Sequence, residues 1–194
     1  MSRVEILEII GALCSIIYSL LLMKEKKSGW WFGIASSCIG TVLFFQTKLY
    51  AQACISIYFA FVGLYGWWYW NKAEKRNEHI HTWTVNTHLL SVVIFCLLSW
   101  ISAYLFKTYT ASSSPYFDSF ITLFGLLASI KEARKVLSSW IYWLVINLCS
   151  AVLYYEQGLL YYSILMIVYA GICIPGYLSW LNIYKRHLNT QSIN

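Results

Sequence analysis

Residues 28–46, SGWWFGIASSCIGTVLFFQ, have a counterpart 110 positions further on, residues 138–156, SSWIYWLVINLCSAVLYYE. Each stretch opens on serine, reaches a tryptophan (Trp30, Trp140) and then runs on without a charged residue. Each closes on Val-Leu-aromatic-aromatic, Val42 to Phe45 and Val152 to Tyr155, with a polar end at Gln46 or Glu156. The same shift pairs Glu8–Trp70 with Asp118–Trp180 over 63 positions without a gap, eleven of them identical. Among the matches are Ser19/Ser129, Leu49/Leu159, Gly66/Gly176 and Trp70/Trp180, and the similar pairs include Glu8/Asp118 and Lys24/Arg134. Uncharged runs of about 16 residues, repeated, approach the length that crosses about 30 Å of hydrocarbon. The reading is an all-α integral membrane protein built on a duplicated unit.

Composition agrees. Of 194 residues, 59% are apolar, 11% charged and 19% aromatic, against about 45–50% apolar and 25% charged in soluble domains. The net charge of +6 does not indicate nucleic-acid binding. Its basic residues fall in short clusters between apolar runs, as membrane orientation requires, whereas nucleic-acid binding needs a stripe on one folded face. The six cysteines lie inside apolar runs without a CxxC pair, which predicts buried free thiols rather than disulfides or a metal site.

Seven runs are predicted to span: Ile6–Met23, Trp30–Phe45, Leu49–Trp70, Leu89–Phe106, Phe117–Ala133, Trp140–Tyr155 and Leu159–Tyr184. Trp30, Trp31, Trp67, Trp68, Trp70, Trp140, Tyr154 and Tyr155 crowd their ends, where aromatic belts meet headgroups. With seven crossings, eleven of the fourteen basic residues fall on one side, leaving Arg3, Lys48 and Lys107 on the other. The positive-inside rule then puts the N-terminus outside and the C-terminus in the cytoplasm. The organisation is 3+1+3: a three-helix repeat over 1–70, a linker with the fourth helix over 71–116, a second repeat over 117–184 and a tail over 185–194. One linker crossing makes the repeats parallel, an arrangement used by transporters whose site lies at the repeat interface.

Several motifs carry a family resemblance. Trp31-Phe32-Gly33-Ile34, Leu49-Tyr50-Ala51 and Tyr65-Gly66-Trp67-Trp68-Tyr69-Trp70 resemble the first half of the PnuC family of bacterial vitamin transporters. Tyr116-Phe117-Asp118, Ala133-Arg134-Lys135 and Trp140-x-x-Trp143-x-x-x-Asn147 resemble its second half. The resemblance implies a SWEET-like nicotinamide riboside carrier working by facilitated diffusion. A cytoplasmic kinase would trap the vitamin by phosphorylation. Ser129 stands where the family's nicotinamide riboside carriers often have glutamine, which keeps thiamine as the alternative substrate. The expected partners are the vitamin, the bilayer and, indirectly, that kinase, with a homo-oligomer (trimer) left open and no nucleic acid. No cofactor is expected. No phosphate-binding loop of the G-x-x-x-x-G-K-[ST] type is present, so the chain is not itself an ATP-driven pump.

Trp140, Trp143 and Asn147 are spaced i, i+3, i+7 on one helical face. Two indoles can hold a flat cationic ring, and an amide can match a carboxamide or aminopyrimidine edge. An aromatic belt plus an interhelical hydrogen bond is the bland alternative. The first-repeat equivalents are Trp30, Gly33 and Ser37, which predicts an asymmetric pocket. Gln52, Ser56, Phe59 and Gly63 match Tyr162, Met166, Tyr169 and Cys173 as i, i+4, i+7, i+11 stripes, either two cavity walls or a packing seam. Glu8, Ala12, Ser15 and Ser19 match Asp118, Thr122, Gly125 and Ser129. Glu8 and Asp118 are read as entrance carboxylates that draw cations, with proton coupling as a minority reading. An intramembrane enzyme is disfavoured because those helices lack catalytic partners. His79, His81 and His88 lack further ligands at metal-site spacing and are read as a solvated loop rather than a metal site.

Overall fold

The computed structural model describes residues 3–48, 50–109 and 114–191; Leu49, at the start of the third predicted span, and residues 192–194 of the predicted tail lie outside them. Among the described residues the chain forms seven helices: α1 (Arg3–Met23), α2 (Gly29–Gln46), α3 (Tyr50–Lys75), α4 (Val85–Tyr109), α5 (Pro115–Ala133), α6 (Ser139–Glu156) and α7 (Leu160–Gln191). Their bounds contain the predicted spans to within one residue. By length and composition alone, three stretches among the described residues are long and apolar enough to cross a membrane: Glu5–Met23, Val85–Tyr109 and Leu160–Asn189. Helices α2 and α6, at 18 residues each, reach only ~27 Å. Their Trp and small polar residues dilute the hydropathy, and the small ones (Gly and Ser in α2, Ser and Ala in α6) let helices approach one another.

Helices α1, α2 and α3 pack in succession, as do α5, α6 and α7. The two groups meet where α3 lies on α5 and α1 lies on α7. Helix α4 packs mainly against α5 and touches α6 where His88 meets Tyr142, leaving Leu90, Leu97 and Trp100 on an outward apolar face. The turns that reverse the chain repeat in detail. Glu25 (φ 54°) follows α1, and Lys135 (φ 57°), 110 positions on, follows α5, both left-handed. Each turn is closed by a bond reaching back five residues, Lys26 N–H to the Leu21 carbonyl and Val136 N–H to the Lys131 carbonyl, both 2.9 Å. The two left-handed residues then pair: Lys135 Nζ lies 2.7 Å from Glu25 Oε1.

Behind that ion pair sits the core. Trp30, Trp70, Trp140 and Trp180 are each at most 3% exposed. Trp30 meets Trp70 edge to face at 5.6 Å, Trp140 meets Trp180 the same way at 5.6 Å, and Trp70 and Trp180 lie 6.0 Å apart. Trp70 Nε1–H donates to the Ala133 carbonyl (3.0 Å), and Trp180 Nε1–H donates to the Leu22 carbonyl (2.8 Å). Each bond ties one helix group to the other. This corrects the aromatic-belt expectation for Trp30, Trp70 and Trp140, which are interior. Trp31, Trp68 and Tyr155 do lie on the surface. An indole is amphipathic, so its position near a span end does not say whether it faces lipid or a neighbouring helix.

The cysteine expectation changes, and two features go beyond the sequence reading. The predicted tail is helical through Gln191, with the His187 ring 3.6 Å from that of His79. Cys38, Cys54 and Cys96 are exposed on the helix surfaces rather than buried, although all six thiols are free; a thiol is small and apolar enough to face lipid. Lys131, counted among the cytoplasmic cations, is fully buried. Its ammonium sits 3.5 Å from the Tyr142 ring centroid and 4.5 Å from that of Trp83, donating to His88 Nδ1 at 3.1 Å. Cation–π attraction and the accepting imidazole nitrogen stand in for solvent. Of the other histidines, His79 faces His187, and His81 pairs its backbone with Lys135 and Leu137.

The indole layer requires glycine. A Cβ built on Gly66 would stand 2.5 Å from the Trp30 ring, and one on Gly176 would stand 2.5 Å from the Trp140 ring. Overpacking a core costs about 1–3 kcal/mol. Gly66→Ala and Gly176→Ala are therefore expected to lower the thermal unfolding midpoint in detergent. Gly171→Ala, where nothing lies within 4 Å, should leave it nearly unchanged.

Candidate functional site

Between the two helix groups lies a cavity of about 620 Å³, within the 300–1,000 Å³ usual for small-molecule sites. It stops at Trp30 and Trp140, the outer members of the indole layer, and extends towards Glu8, Thr47 and Tyr162. Those three residues are exposed, so the cavity has one closed end and one that reaches the surface.

Most of the predicted stripes converge on it. Trp140, Trp143 and Asn147 from α6, and Trp30, Gly33 and Ser37 from α2, line it together. So do Ser56, Phe59 and Gly63 from α3, and Tyr162, Met166, Tyr169 and Cys173 from α7. From α1 come Glu8, Ala12, Ser15 and Ser19. Gln52 is exposed and Asp118 half-buried, and neither lines the cavity. The α5 stripe contributes only Ser129, because the first turns of α5 pack on α4: Ser119 Oγ–H donates to Ser102 Oγ at 3.3 Å, and Phe124 meets Phe95.

The two tryptophans of α6 play different parts. Trp140 lies flat against Gly176 and edge-on to Trp180, forming the floor. Trp143 is half-buried and stands as a wall, with Phe59 of α3 at 6.4 Å and an interplanar angle of 44°. The aromatic partner nearest Trp143 across the cavity is therefore Phe59, and the paired-indole sandwich of the sequence reading becomes a floor and a wall. Asn147 donates through Nδ2 to Cys173 Sγ at 3.7 Å, a weak partner that leaves most of its hydrogen-bonding capacity for another group.

Sequence reasoning missed Glu132 and Tyr18. Glu132 is 3% exposed and lines the cavity. Its Oε2 accepts from Tyr18 Oη–H of α1 (2.9 Å) and from Trp143 Nε1–H (3.1 Å). It sits inside Lys131-Glu132-Ala133-Arg134-Lys135 and so reads as one charge in a solvated cluster. The signal was the α5 stripe, which continues by one i+3 step from Ser129 to Glu132. Among the described residues, Glu8 and Glu132 are the charged ones lining the cavity, and no lysine or arginine lines it. The arrangement suits a flat, uncharged or cationic ring that carries polar substituents, and it disfavours anions.

The profile of the family described as nicotinamide mononucleotide transporter matches residues 5–182. The chain is 24% identical to the nicotinamide riboside transporter PnuC of Escherichia coli, over 91% of this chain and 85% of that protein. It is 25% identical to the riboflavin/roseoflavin transporter RibM of Streptomyces davaonensis, over 61% of this chain and 58% of that one. Among solved structures, that of the vitamin B3 transporter PnuC superposes with a TM-score of 0.74 at 20% identity, covering 93% of this chain and 83% of that one. That likeness gives the same helical membrane fold.

Proposed function

This chain belongs to the nicotinamide mononucleotide transporter family, and from that premise we propose that it carries nicotinamide riboside across the bacterial inner membrane by facilitated diffusion. A cytoplasmic kinase then phosphorylates and traps the vitamin. The observation that carries this reading is a cavity with an indole wall at Trp143, the amide of Asn147 and, among the described residues, two carboxylates and no basic residue. A pyridinium ring stacks on such a wall, its carboxamide can exchange hydrogen bonds with Asn147, and a phosphorylated product meets no cation to hold it. Thiamine is the second reading. It is favoured by Ser129, whose hydroxyl donates to the Leu126 carbonyl at 2.8 Å and offers no amide to a ribose or carboxamide.

The proposed architecture is 3+1+3, with parallel repeats over 1–70 and 117–184, the α4 linker over 71–116 between them and a cytoplasmic end over 185–194. Support comes from the 110-residue offset, which relates α2 to α6, Glu25 to Lys135 and the Trp30–Gly66 contact to Trp140–Gly176. With the N-terminus outside, the open end of the cavity faces outward. The indole layer, its two interhelical carbonyl bonds and the Glu25–Lys135 pair then close the inner end. Passage requires that layer to part while the outer end closes, with the repeats rocking about the site. The apolar face of α4 is left to lipid or to another copy in a homo-oligomer such as a trimer.

Two measurements test this. A reporter active only in the cytoplasm should work when fused after Arg186 and be silent when placed between Lys107 and Pro115; activity at both points breaks the seven-span reading. In calorimetric titration of purified protein, Trp143→Ala is expected to weaken nicotinamide riboside binding by about 1–3 kcal/mol, by analogy with base stacking on aromatics. Asn147→Leu should weaken it too, while Ser37→Leu, at the equivalent first-repeat position, should cost little. Equal losses at positions 147 and 37 would overturn the asymmetric pocket, and tight thiamine binding without riboside binding would promote the second reading.

A further inference from the structure

We infer that Glu132 is a specificity-determining residue that selects a positively charged ring over an uncharged ring of the same shape. The inference rests on the transport reading above and deepens it. Glu132 is a cavity-lining carboxylate with its side chain almost wholly out of solvent. The basic groups of its own helix end are engaged elsewhere. Lys131 points into the box of His88, Tyr142 and Trp83, Arg134 Nε donates to Tyr65 Oη at 3.2 Å, and Lys135 is paired with Glu25. Among the described residues no ion pair involves Glu132. A carboxylate taken from water into such a site is expensive unless compensated. Two charge-assisted donors, Tyr18 and Trp143, supply part of that compensation.

The rest is open to a cation in the cavity, and the geometry says where. Trp143 donates its ring N–H to Glu132 at 3.1 Å, so the carboxylate sits at the edge of the indole that forms the wall. A cation within about 6 Å of that ring's face is also close to the carboxylate, in a site where water screens little. One bond therefore fixes the indole plane and places a counter-charge beside it. Glu8, the other lining carboxylate, stands exposed at the far rim, where solvent and salt weaken its pull.

Nicotinamide riboside and its 1,4-dihydro form test this, because reduction removes the ring's positive charge and nearly preserves its shape. Calorimetric titration of the wild-type protein should give roughly tenfold or more tighter binding of the oxidised form, the equivalent of about 1.4 kcal/mol. Glu132→Gln keeps an oxygen that can accept from Tyr18 and Trp143 but removes the charge. It should bring the two affinities together, mainly by weakening the cation. Tyr18→Phe removes a donor and keeps the charge, so it should preserve the preference. A preference that survives in Glu132→Gln, or none in the wild type although both ligands bind, overturns the inference while leaving the transport reading intact. Should Glu132→Gln fail to fold, the wild-type ratio and Tyr18→Phe still decide. Binding of neither ligand nor thiamine by the wild type overturns the transport reading and this inference with it.

Discussion

The structure depends on two close approaches, Trp30 over Gly66 and Trp140 over Gly176. In hydrocarbon there is no hydrophobic gain in bringing helices together, since lipid is as apolar as leucine. Packing contacts and hydrogen bonds have to do the work. A bare glycine lets α2 press an indole against the backbone of α3, and α6 do the same on α7. The indoles of Trp70 and Trp180 fill the space between, and each reaches across to a carbonyl at the end of a helix in the other group. Those carbonyls belong to the last turns of α5 and α1: that of Ala133 has no intrahelical donor, and that of Leu22 accepts from Glu25 N–H at 2.9 Å as well. One layer of four rings thus joins the helix groups, satisfies two helix ends and bounds the cavity.

How the cavity is furnished follows from the same economy. Many of its hydroxyls are already occupied by their surroundings: Ser19 donates to the Ser15 carbonyl, Ser129 to that of Leu126, and Ser36 to that of Gly11. Such groups make the wall polar without making it grip, because their donor is committed and the oxygen retains only acceptor capacity. Asn147, whose partner among the described residues is a thiol, stands out against this background. A site that must also release its ligand gains from few strong contacts among many weak ones.

Much of this was legible in the sequence, and the limits were physical. The helices followed from uncharged runs of membrane length. Five of the six stripes that face the cavity followed from i, i+3, i+4, i+7 spacing, since periodicity identifies a face. Periodicity does not say what covers that face: α5 presents its first turns to α4, so Asp118 stays out of the cavity, and Gln52 lies on the exposed start of α3. It also failed where residue type suggested the wrong solvent. Tryptophans near span ends suggested headgroups yet three are core. Lys131 and Glu132 are adjacent in a charged run yet turn to opposite surroundings, an aromatic box and the cavity, as neighbours on a helix must.

The pairing of Glu25 with Lys135 carries a historical consequence. The two residues occupy corresponding places, 110 positions apart, and share the same left-handed backbone. If the halves were identical, each side would present the same residue, glutamate against glutamate or lysine against lysine, and the contact would repel. Attraction there requires that the halves differ. A symmetric pair of half-length chains could not have held this bond, whereas a single fused chain can place opposite charges on its two copies. In the duplicated architecture proposed above, joining the halves in one polypeptide does more than fix their stoichiometry: it releases the central contact from self-complementarity and allows the sides to specialise.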